Sequence, residues 1–307
     1  MKYFFFHALC LCSVFCNAQP VRYQPAPLAT TSTVTYSLSP DWMDINPEVF
    51  RKSAVMQDSV FLFANESKNS DSSLVLAQYF DSSGLMQETD EYAINKKGVL
   101  RRVTNYSYVD DLLYRKEEIS RSDFSINHVV TISKDITTYD YDSAGHVTRE
   151  KKYSYFGDSL KQFTLSVKER EYDSEGHLVK EYLTNPGSRP FLRSTYSYEH
   201  SKLSEARFYD SNQIWLYSYI HQYNGKFTTE RIYLTNADQD KQLQKEFFYD
   251  DLHRLIKAEV FSEGILKMDH TTQTYRYDAS GLMERQDFKD ITGKNYYYKH
   301  HYLLRAN

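Results

Sequence analysis

The sequence predicts an all-β fold, a long antiparallel meander of hairpin repeats that curls into a spiral, a wrapped sheet or a barrel-like shell. Three observations predict it. A Tyr-Asp turn motif recurs along the chain, the segments between turns alternate in polarity, and 28 of the 307 residues are Tyr, which favours strands. Open twisted sheets rarely exceed about ten strands without curling or closing. A longer meander should therefore curl.

The turn motif reads aromatic-Asp-x-x-Gly, as in YDSAGHV at 141–147 and YDSEGHL at 172–178. Asp at the first position of a type I turn accepts hydrogen bonds from the turn's own amides, and Gly at the fourth adopts the left-handed conformation. This combination forms a three-residue hairpin loop with a bulge. We predict such turns at 81–84, 95–98, 142–145, 173–176, 278–281 and 290–293. The principal turn-forming residues are Asp81, Gly84, Asp142, Gly145, Asp173, Gly176, Asp278 and Gly281.

The spacing of the turns sets the number of strands. Tyr172, Tyr198, Tyr223, Tyr249 and Tyr277 follow one another at 26, 25, 26 and 28 residues, which is two strands per repeat. With the looser turns between them, about sixteen turns from residue 81 onward predict about seventeen strands.

The chain divides into three predicted parts. Residues 1–18, with Lys2, an apolar run and Ala18, have the pattern of a secretory signal peptide. Residues 19–50 form a Pro-rich N-terminal segment, and residues 51–307 form the β-repeat domain. A short helix is predicted to begin at Pro47 with Asn46 as its N-cap, and the sheet to start within SVFLFA at 59–64.

Composition excludes several classes of function. All three Cys lie in residues 1–18, so the mature chain would have no disulfide, thiolate metal site or cysteine nucleophile. The net charge is −4, and removal of residues 1–18, with one Lys and no acid, makes it −5. This value argues against nucleic-acid partners. No later apolar stretch reaches transmembrane length. Charges on both faces of HVTREKKYSY at 146–155 argue against an outer-membrane barrel.

No pattern in the sequence identifies an active site. There is no serine elbow, phosphate-binding glycine loop or zinc-ligand spacing. His146, His177 and His253 stand at similar places after turns, where they could line up as a metal or ligand ladder. Other copies have Leu85, Val99, Leu282 or Lys294 there, which favours polar strand-entry residues instead. We predict no catalytic residue, cofactor or metal. A pair of carboxylates assembled in space, as in glycoside hydrolases, stays open as an alternative.

Aromatic residues spaced by two along predicted strands share one face of the sheet. Such a face either stacks on sugars or forms cross-strand ladders that hold the sheet together. The scarcity of Trp, with only two in the chain, favours the second role, since sugar-binding faces more often use Trp. The faces are also the best candidates for contact with a ligand. The candidates are Tyr196, Tyr198, Trp215, Tyr217, Tyr219, Tyr275 and Tyr277.

The segments TTYDYDSAGHVTREKKYSY, EREYDSEGHLVKEY, FFYDDLHRLIKAEV and YRYDASGLMERQ resemble the YD repeats of the RHS family, whose unit is approximately Y-x-Y-D-x-x-G-R-L. The resemblance covers residues 80–307 loosely. It departs where the family's Arg after Gly is replaced by His, Val, Leu or Lys. The resemblance implies a secreted or surface β-repeat protein, sometimes described as sugar-binding, and it transfers no catalytic residue.

The sequence therefore leads to one main hypothesis of function. It predicts an exported, non-catalytic protein, in the periplasm, on the cell surface or secreted, that offers a binding surface for cell-envelope polysaccharide. The alternatives are a structural scaffold that binds an envelope protein and, less favoured, a glycoside hydrolase. Nucleic acid and a membrane span of the mature chain are not expected.

Overall fold

The computed structural model describes residues 47–63, 72–92, 99–124, 129–156, 161–224, 228–237, 239–263, 268–290 and 292–305. Within these ranges the chain is all-β apart from one short helix, which confirms the predicted fold class. The predicted signal peptide, the turn at 95–98 and residues 19–46 of the Pro-rich segment lie outside the described residues.

Helix α1 spans Pro47–Lys52, beginning at the proline as predicted, and it crosses the expected domain boundary after residue 50. Its Phe50 packs against Phe80, with ring centroids 4.5 Å apart. The strands are β1 (Val55–Phe63), β2 (Ser72–Phe80), β3 (Met86–Tyr92), β4 (Leu100–Val109), β5 (Leu112–Phe124), β6 (Val129–Tyr141), β7 (Val147–Phe156), β8 (Lys161–Tyr172), β9 (Leu178–Thr184), β10 (Phe191–Glu199), β11 (Lys202–Tyr209), β12 (Trp215–Tyr223), β13 (Thr229–Asn236), β14 (Gln239–Tyr249), β15 (Leu255–Glu263), β16 (Met268–Tyr277), β17 (Met283–Lys289) and β18 (Asn295–Leu304).

The sheet is an antiparallel meander that closes on itself. Each strand pairs with the next, and β1 also pairs with β18, where Val60 lies opposite His300. Of the three predicted shapes, the closed barrel is therefore the correct one. The seventeen predicted strands correspond to β2–β18, and β1 is the eighteenth strand, which completes the closure. A closed sheet has no open edge with unpaired backbone groups.

Seven turns share one geometry, each beginning at an Asp. The Asp backbone carbonyl accepts from the amide three residues on, and its Oδ1 accepts from the amides two and four residues on. In the turn at Asp142 the side-chain bonds from Ala144 and His146 are both 2.9 Å. The first residues of these turns are Asp81, Asp142, Asp173, Asp210, Asp250, Asp278 and Asp290.

The fourth residue of each of these turns has a positive φ, which favours Gly. Gly occupies the position in five turns, Gln213 in the sixth and His253 in the seventh. The expectation that His253 corresponds to His146 and His177 is thus wrong. His253 stands in the glycine position with φ of 59°, and Arg254 takes the place that follows.

A ladder of tyrosine hydroxyls links neighbouring repeats at one end of the barrel. Each Tyr lies at or near the end of an even-numbered strand. Its hydroxyl donates to a backbone carbonyl at or near the start of the preceding strand, just after the previous turn at the same end of the barrel. The pairs are Tyr141–Leu113, Tyr172–Val147, Tyr198–Leu178, Tyr223–Leu203, Tyr277–Leu255 and Tyr302–Met283, at 2.6–3.2 Å. We call this end of the barrel the tyrosine rim. Burial raises the pKa of Tyr198 to about 12.

One face of the sheet carries most of the buried side chains and is the concave, inner face. Cross-strand partners share a face, so the registers assign the inner side chains around the whole barrel. On β3–β9 these side chains are mainly charged, and we call this part the charged wall. On β10–β18, β1 and β2 they are mainly aromatic and apolar, and we call that part the aromatic wall.

Candidate ligand-binding site

The residue after the turn's left-handed position stacks on the ladder tyrosine of the next repeat. The ring of His146 lies 4.7 Å from that of Tyr172, and the ring of His177 lies 4.5 Å from that of Tyr198. The Nδ1 atom of His146 is 3.0 Å from Oδ2 of Asp142 in its own turn. At the corresponding place Arg254 lies over the ring of Tyr277, 4.9 Å from its centroid. These side chains therefore join adjacent turns along the tyrosine rim.

Six of the seven predicted ligand-facing aromatics lie on the inner face, and most are engaged in packing or hydrogen bonds. The expectation that Trp215 shares this face is wrong, because a bulge at the start of β12 pairs Trp215 with Tyr209 on the outer face. Tyr196 is buried, and its hydroxyl is 3.0 Å from Oγ of Ser194. Tyr217 and Tyr219 pack on the fully buried Phe208.

Three of the other four candidates lie nearby on the same wall, and Trp215 lies on the opposite face of β12. The ladder uses the hydroxyls of Tyr198 and Tyr277. Tyr275 donates to Oε1 of Gln273, and Nε1 of Trp215 donates to Ser218. The structure thus gathers six of the seven aromatics on the aromatic wall, and whether they contact a ligand stays a prediction.

Two adjoining cavities at the tyrosine rim form a groove across β9–β13. The first, about 460 Å³, is lined by Asp173, Glu175, His177, Val179, Tyr196, Tyr198, His200 and Ser201. The second, about 620 Å³, is lined by Glu199, His200, Lys202, Ser204, His221, Gln222, Tyr223, Asn224, Thr229 and Arg231. They share His200, which with Ser201 forms a two-residue hairpin turn of positive φ. We call this groove the rim groove.

A buried carboxylate lies next to the second cavity. Glu230, 1 % exposed, accepts hydrogen bonds from Tyr223 at 3.1 Å and from Tyr249 at 3.2 Å. Its Oε1 is 2.7 Å from Nδ1 of His221, which is itself buried. Tyr249 departs from the ladder here, because its hydroxyl reaches a side chain instead of a carbonyl.

The signal for this group in the sequence is weak. Strand alternation places His221 and Tyr223 on one face, but Glu230 comes from the next strand and Tyr249 from the strand after that. Lys202, across the same cavity, is partly buried. Burial lowers the pKa of its ammonium group, and attraction by Glu230 opposes that effect.

Two further buried polar groups lie on the inner face, away from the rim groove. Arg170, between two carboxylates, is 2.9 Å from Glu150 and 3.1 Å from Glu181. His300 is 2.8 Å from Asp58 across the closing pair of strands. Among the described residues, no group of three or more His, Cys, Asp or Glu is placed to hold a metal ion. Carboxylates of the charged wall have cationic partners, such as Glu91 with Arg102, Asp135 with Lys152 and Glu150 with Arg170.

Comparison with known proteins gives distant structural similarities. No protein-family model matches the chain, and no curated protein matches it. A porin-like protein from Bacteroides uniformis ATCC 8492 is similar with a TM-score of 0.44 and 10% identity, over 82% of this chain and 97% of that chain. A porin-like protein from Bacteroides vulgatus ATCC 8482 has a TM-score of 0.31 and 10% identity, over 82% and 99% of the two chains.

The TcdB2-TccC3 structure is also similar, with a TM-score of 0.28 and 11% identity, over 79% of this chain and 19% of that one. Similarities at this level carry no argument about what this chain binds or where it acts. In the described part of the chain, no helix is long and apolar enough to cross a membrane.

Proposed function

We propose that this protein is an exported, non-catalytic β-barrel that binds carbohydrate in the rim groove. The observation that carries the proposal is the second cavity, whose volume of about 620 Å³ is within the usual range of small-ligand sites, about 300–1,000 Å³. Its lining is rich in side chains that donate and accept hydrogen bonds, which is the chemistry that sugar hydroxyls require.

The aromatic side chains of the groove supply the second element of sugar recognition. The phenol of Tyr223 lines the second cavity, and the stacked rings of His177 and Tyr198 line the first. Aromatic rings present apolar faces to the C–H faces of sugars while their polar atoms bond outward. The ladder hydrogen bonds hold Tyr198 and Tyr223 in place, so these rings lose little freedom when a ligand binds.

The outer face of the barrel supports an aqueous location. It carries ion pairs such as Lys151–Asp140 at 3.0 Å, Arg207–Glu205 at 3.0 Å and Arg276–Asp287 at 3.2 Å. A lipid-facing Lys or Arg at the middle of a bilayer costs about 2–4 kcal/mol. We therefore propose that water surrounds the barrel in the periplasm, at the cell surface or outside the cell, with residues 1–18 as its export signal.

The repeat geometry also supports a relation to the YD repeats of the RHS family. The Asp of the motif caps its turn, and the Tyr bonds to the preceding repeat. The family's unit has an Arg after the turn, and Arg254 occupies that place here. Its guanidinium lies over the ring of Tyr277 in the next repeat, which is a cation–π contact that an Arg at this place can form. We propose the relation on these contacts, which recur in several repeats.

Oligosaccharide binding by the purified mature chain tests the proposal. We expect saturable binding in a glycan array and in calorimetry. The variants His200→Asn and Gln222→Ala should weaken it by about tenfold, the usual effect of one lost hydrogen bond to a ligand. Asn keeps the positive φ accessible at residue 200.

The control is Asn212→Ala, an exposed change in the Asp210 turn at the opposite end of the barrel, which should leave binding unchanged. Absence of saturable binding to every saccharide, or binding that neither groove variant alters, would reject the proposal. A protein partner found by crosslinking in that case would favour the scaffold alternative.

A further inference from the structure

The two cavities of the rim groove reach different faces of the sheet. Tyr198, which lines the first cavity, belongs to the inner face. The second cavity is lined by His221 and Tyr223 of the inner face, and also by Gln222, which alternates with them on β12, and by its cross-strand partner Arg231. Successive residues of a strand point to opposite faces. The groove therefore begins on the inner face and crosses the rim to the outer face.

The turn between β10 and β11 lies where the two cavities meet. His200 lines both of them, Ser201 lines the first and Glu199 lines the second. A ligand that contacts both cavities must therefore pass over this turn. Each cavity alone, at about 460 and 620 Å³, has the volume of a small-ligand site. A compact ligand would fill one of them, and only an elongated ligand would occupy both.

The spacing of the strands sets the length of the groove. Neighbouring strands lie about 4.8 Å apart, so the groove from β9 to β13 spans about 19 Å. Tyr198 and Tyr223 end or nearly end β10 and β12, and two strand spacings separate them, about 10 Å. The ladder hydrogen bonds to Leu178 and Leu203 hold both tyrosines, and this interval is therefore fixed.

We propose that the ligand of the rim groove is a linear, extended oligosaccharide of about four units that crosses the rim, with about two units in each cavity. This inference rests on the proposed carbohydrate binding and narrows it. One unit of an extended glycan advances by about one strand spacing, so about four units match the groove and about two match the interval between the ladder tyrosines.

The test measures how affinity depends on the length of the glycan. A glycan array carries β-1,4-linked oligomers of N-acetylglucosamine, of glucose and of mannose, from monosaccharide to hexasaccharide, together with branched glycans of equal size. Calorimetry with the purified mature chain then follows the series that binds. We expect the tetrasaccharide to bind about tenfold or more tightly than the disaccharide, because it makes hydrogen bonds in both cavities, and longer oligomers to gain no more.

A matched pair of variants shows whether one ligand occupies both cavities. Glu175→Ala truncates an exposed side chain of the first cavity, and Gln222→Ala truncates one of the second. Each should weaken binding of the tetrasaccharide by about tenfold. The disaccharide, which fills one cavity, should be weakened by only one of the two variants. Thermal unfolding of each variant shows whether the fold is intact.

The outcomes separate this inference from the proposed function. Three results overturn the inference and leave the carbohydrate site standing: an affinity that stops rising at the disaccharide, a tetrasaccharide that only one of the two variants weakens, or binding confined to branched glycans. Binding of no saccharide at all overturns both.

Discussion

The charged wall and the aromatic wall line the inside of the same barrel with different kinds of side chain. On β3–β9 the inner side chains form cross-strand ion pairs, such as Arg102–Glu91 at 3.4 Å and Lys152–Asp135 at 2.7 Å. On the aromatic wall, Phe208, Phe247 and Ala258 are fully buried. Lys152 of the charged wall, by contrast, keeps 46% of its side chain exposed.

This difference shows which part of the repeat is fixed. The Asp turns and the tyrosine ladder occur on both walls, at Tyr172 as at Tyr277. The inner side chains between the turns change from charged to aromatic, and both the turns and the ladder persist, apart from Tyr249, whose hydroxyl bonds Glu230. The repeat thus specifies the hairpin and its link to the next hairpin, and it leaves the inner face free to vary. The rim groove lies where the two walls meet, at β9–β13.

The largest expected effect is on the charged wall. Arg170→Ala should destabilise the barrel by about 3–5 kcal/mol, because it leaves the buried carboxylates of Glu150 and Glu181 without their shared cation. Urea denaturation at pH 7 measures the loss. As a control, Arg149→Ala on the outer face, whose guanidinium pairs with the exposed Glu169, should leave the midpoint unchanged.

The same variant has a defined dependence on pH. Burial raises the pKa of Glu150, but the charges of Lys168 and Arg170 outweigh burial, so the pKa lies below its ordinary value. The pairing therefore stabilises the fold above the unfolded pKa of about 4.3 and is lost as pH falls through the lower folded pKa. The difference between wild type and Arg170→Ala should shrink below about pH 4.3. A constant difference would contradict the ionic explanation.

On the aromatic wall, Phe208→Ala should cost a similar amount, about 3–5 kcal/mol, through loss of apolar contact and the cavity that remains. The loss is one of aromatic packing and not of a carboxylate ion pair, so the cost should not change between pH 7 and pH 4. Denaturation of the variant at the two pH values measures it. A strong dependence on pH would show that the two walls are stabilised in the same way.

Two turn glycines with nearly the same φ provide the next comparison. A Cβ at Gly176, φ +84°, would lie 2.8 Å from Nε2 of His146, whereas one at Gly281, φ +89°, would lie 3.8 Å from a methyl group of Val49. Both substitutions to Ala should cost about 1–2 kcal/mol for the left-handed backbone. Gly176→Ala should cost more, because the His146 ring must move.

Thermal unfolding of both glycine variants in the wild-type and His146→Ala backgrounds measures the difference. We expect His146→Ala to remove the excess cost at Gly176 and to leave Gly281→Ala unaffected. An excess that persists without the imidazole would place its cause in the backbone of the turn.

The smallest expected effect is the loss of one ladder hydroxyl on each wall. Tyr172→Phe and Tyr277→Phe should each cost about 0.5–1.5 kcal/mol, since each removes one hydrogen bond to a carbonyl. Equal losses, measured by denaturation, would support a ladder that is independent of the wall. A loss confined to Tyr172→Phe would mean that the ladder stabilises the charged wall alone.

Local features of the chain made much of the fold predictable. The Asp turns, the number of strands after residue 81 and the start of helix α1 at Pro47 depend on residues within four or five positions of each other. The role of the repeated Tyr was not predictable to the same degree. Its hydroxyl bonds a carbonyl about 19–28 residues earlier, in the preceding strand. The buried position of Glu230 was not predictable either, because its three hydrogen-bond partners come from two other strands.

The sequence by itself determined an antiparallel meander with these hairpin tips, because turn chemistry and strand alternation act over a few residues. The tertiary structure alone decided that the meander closes, since His300 meets Asp58 across 242 positions of the chain. It also decided which face is buried and where the rim groove forms. Those outcomes depend on the curvature and register accumulated over eighteen strands, which no short stretch of residues encodes.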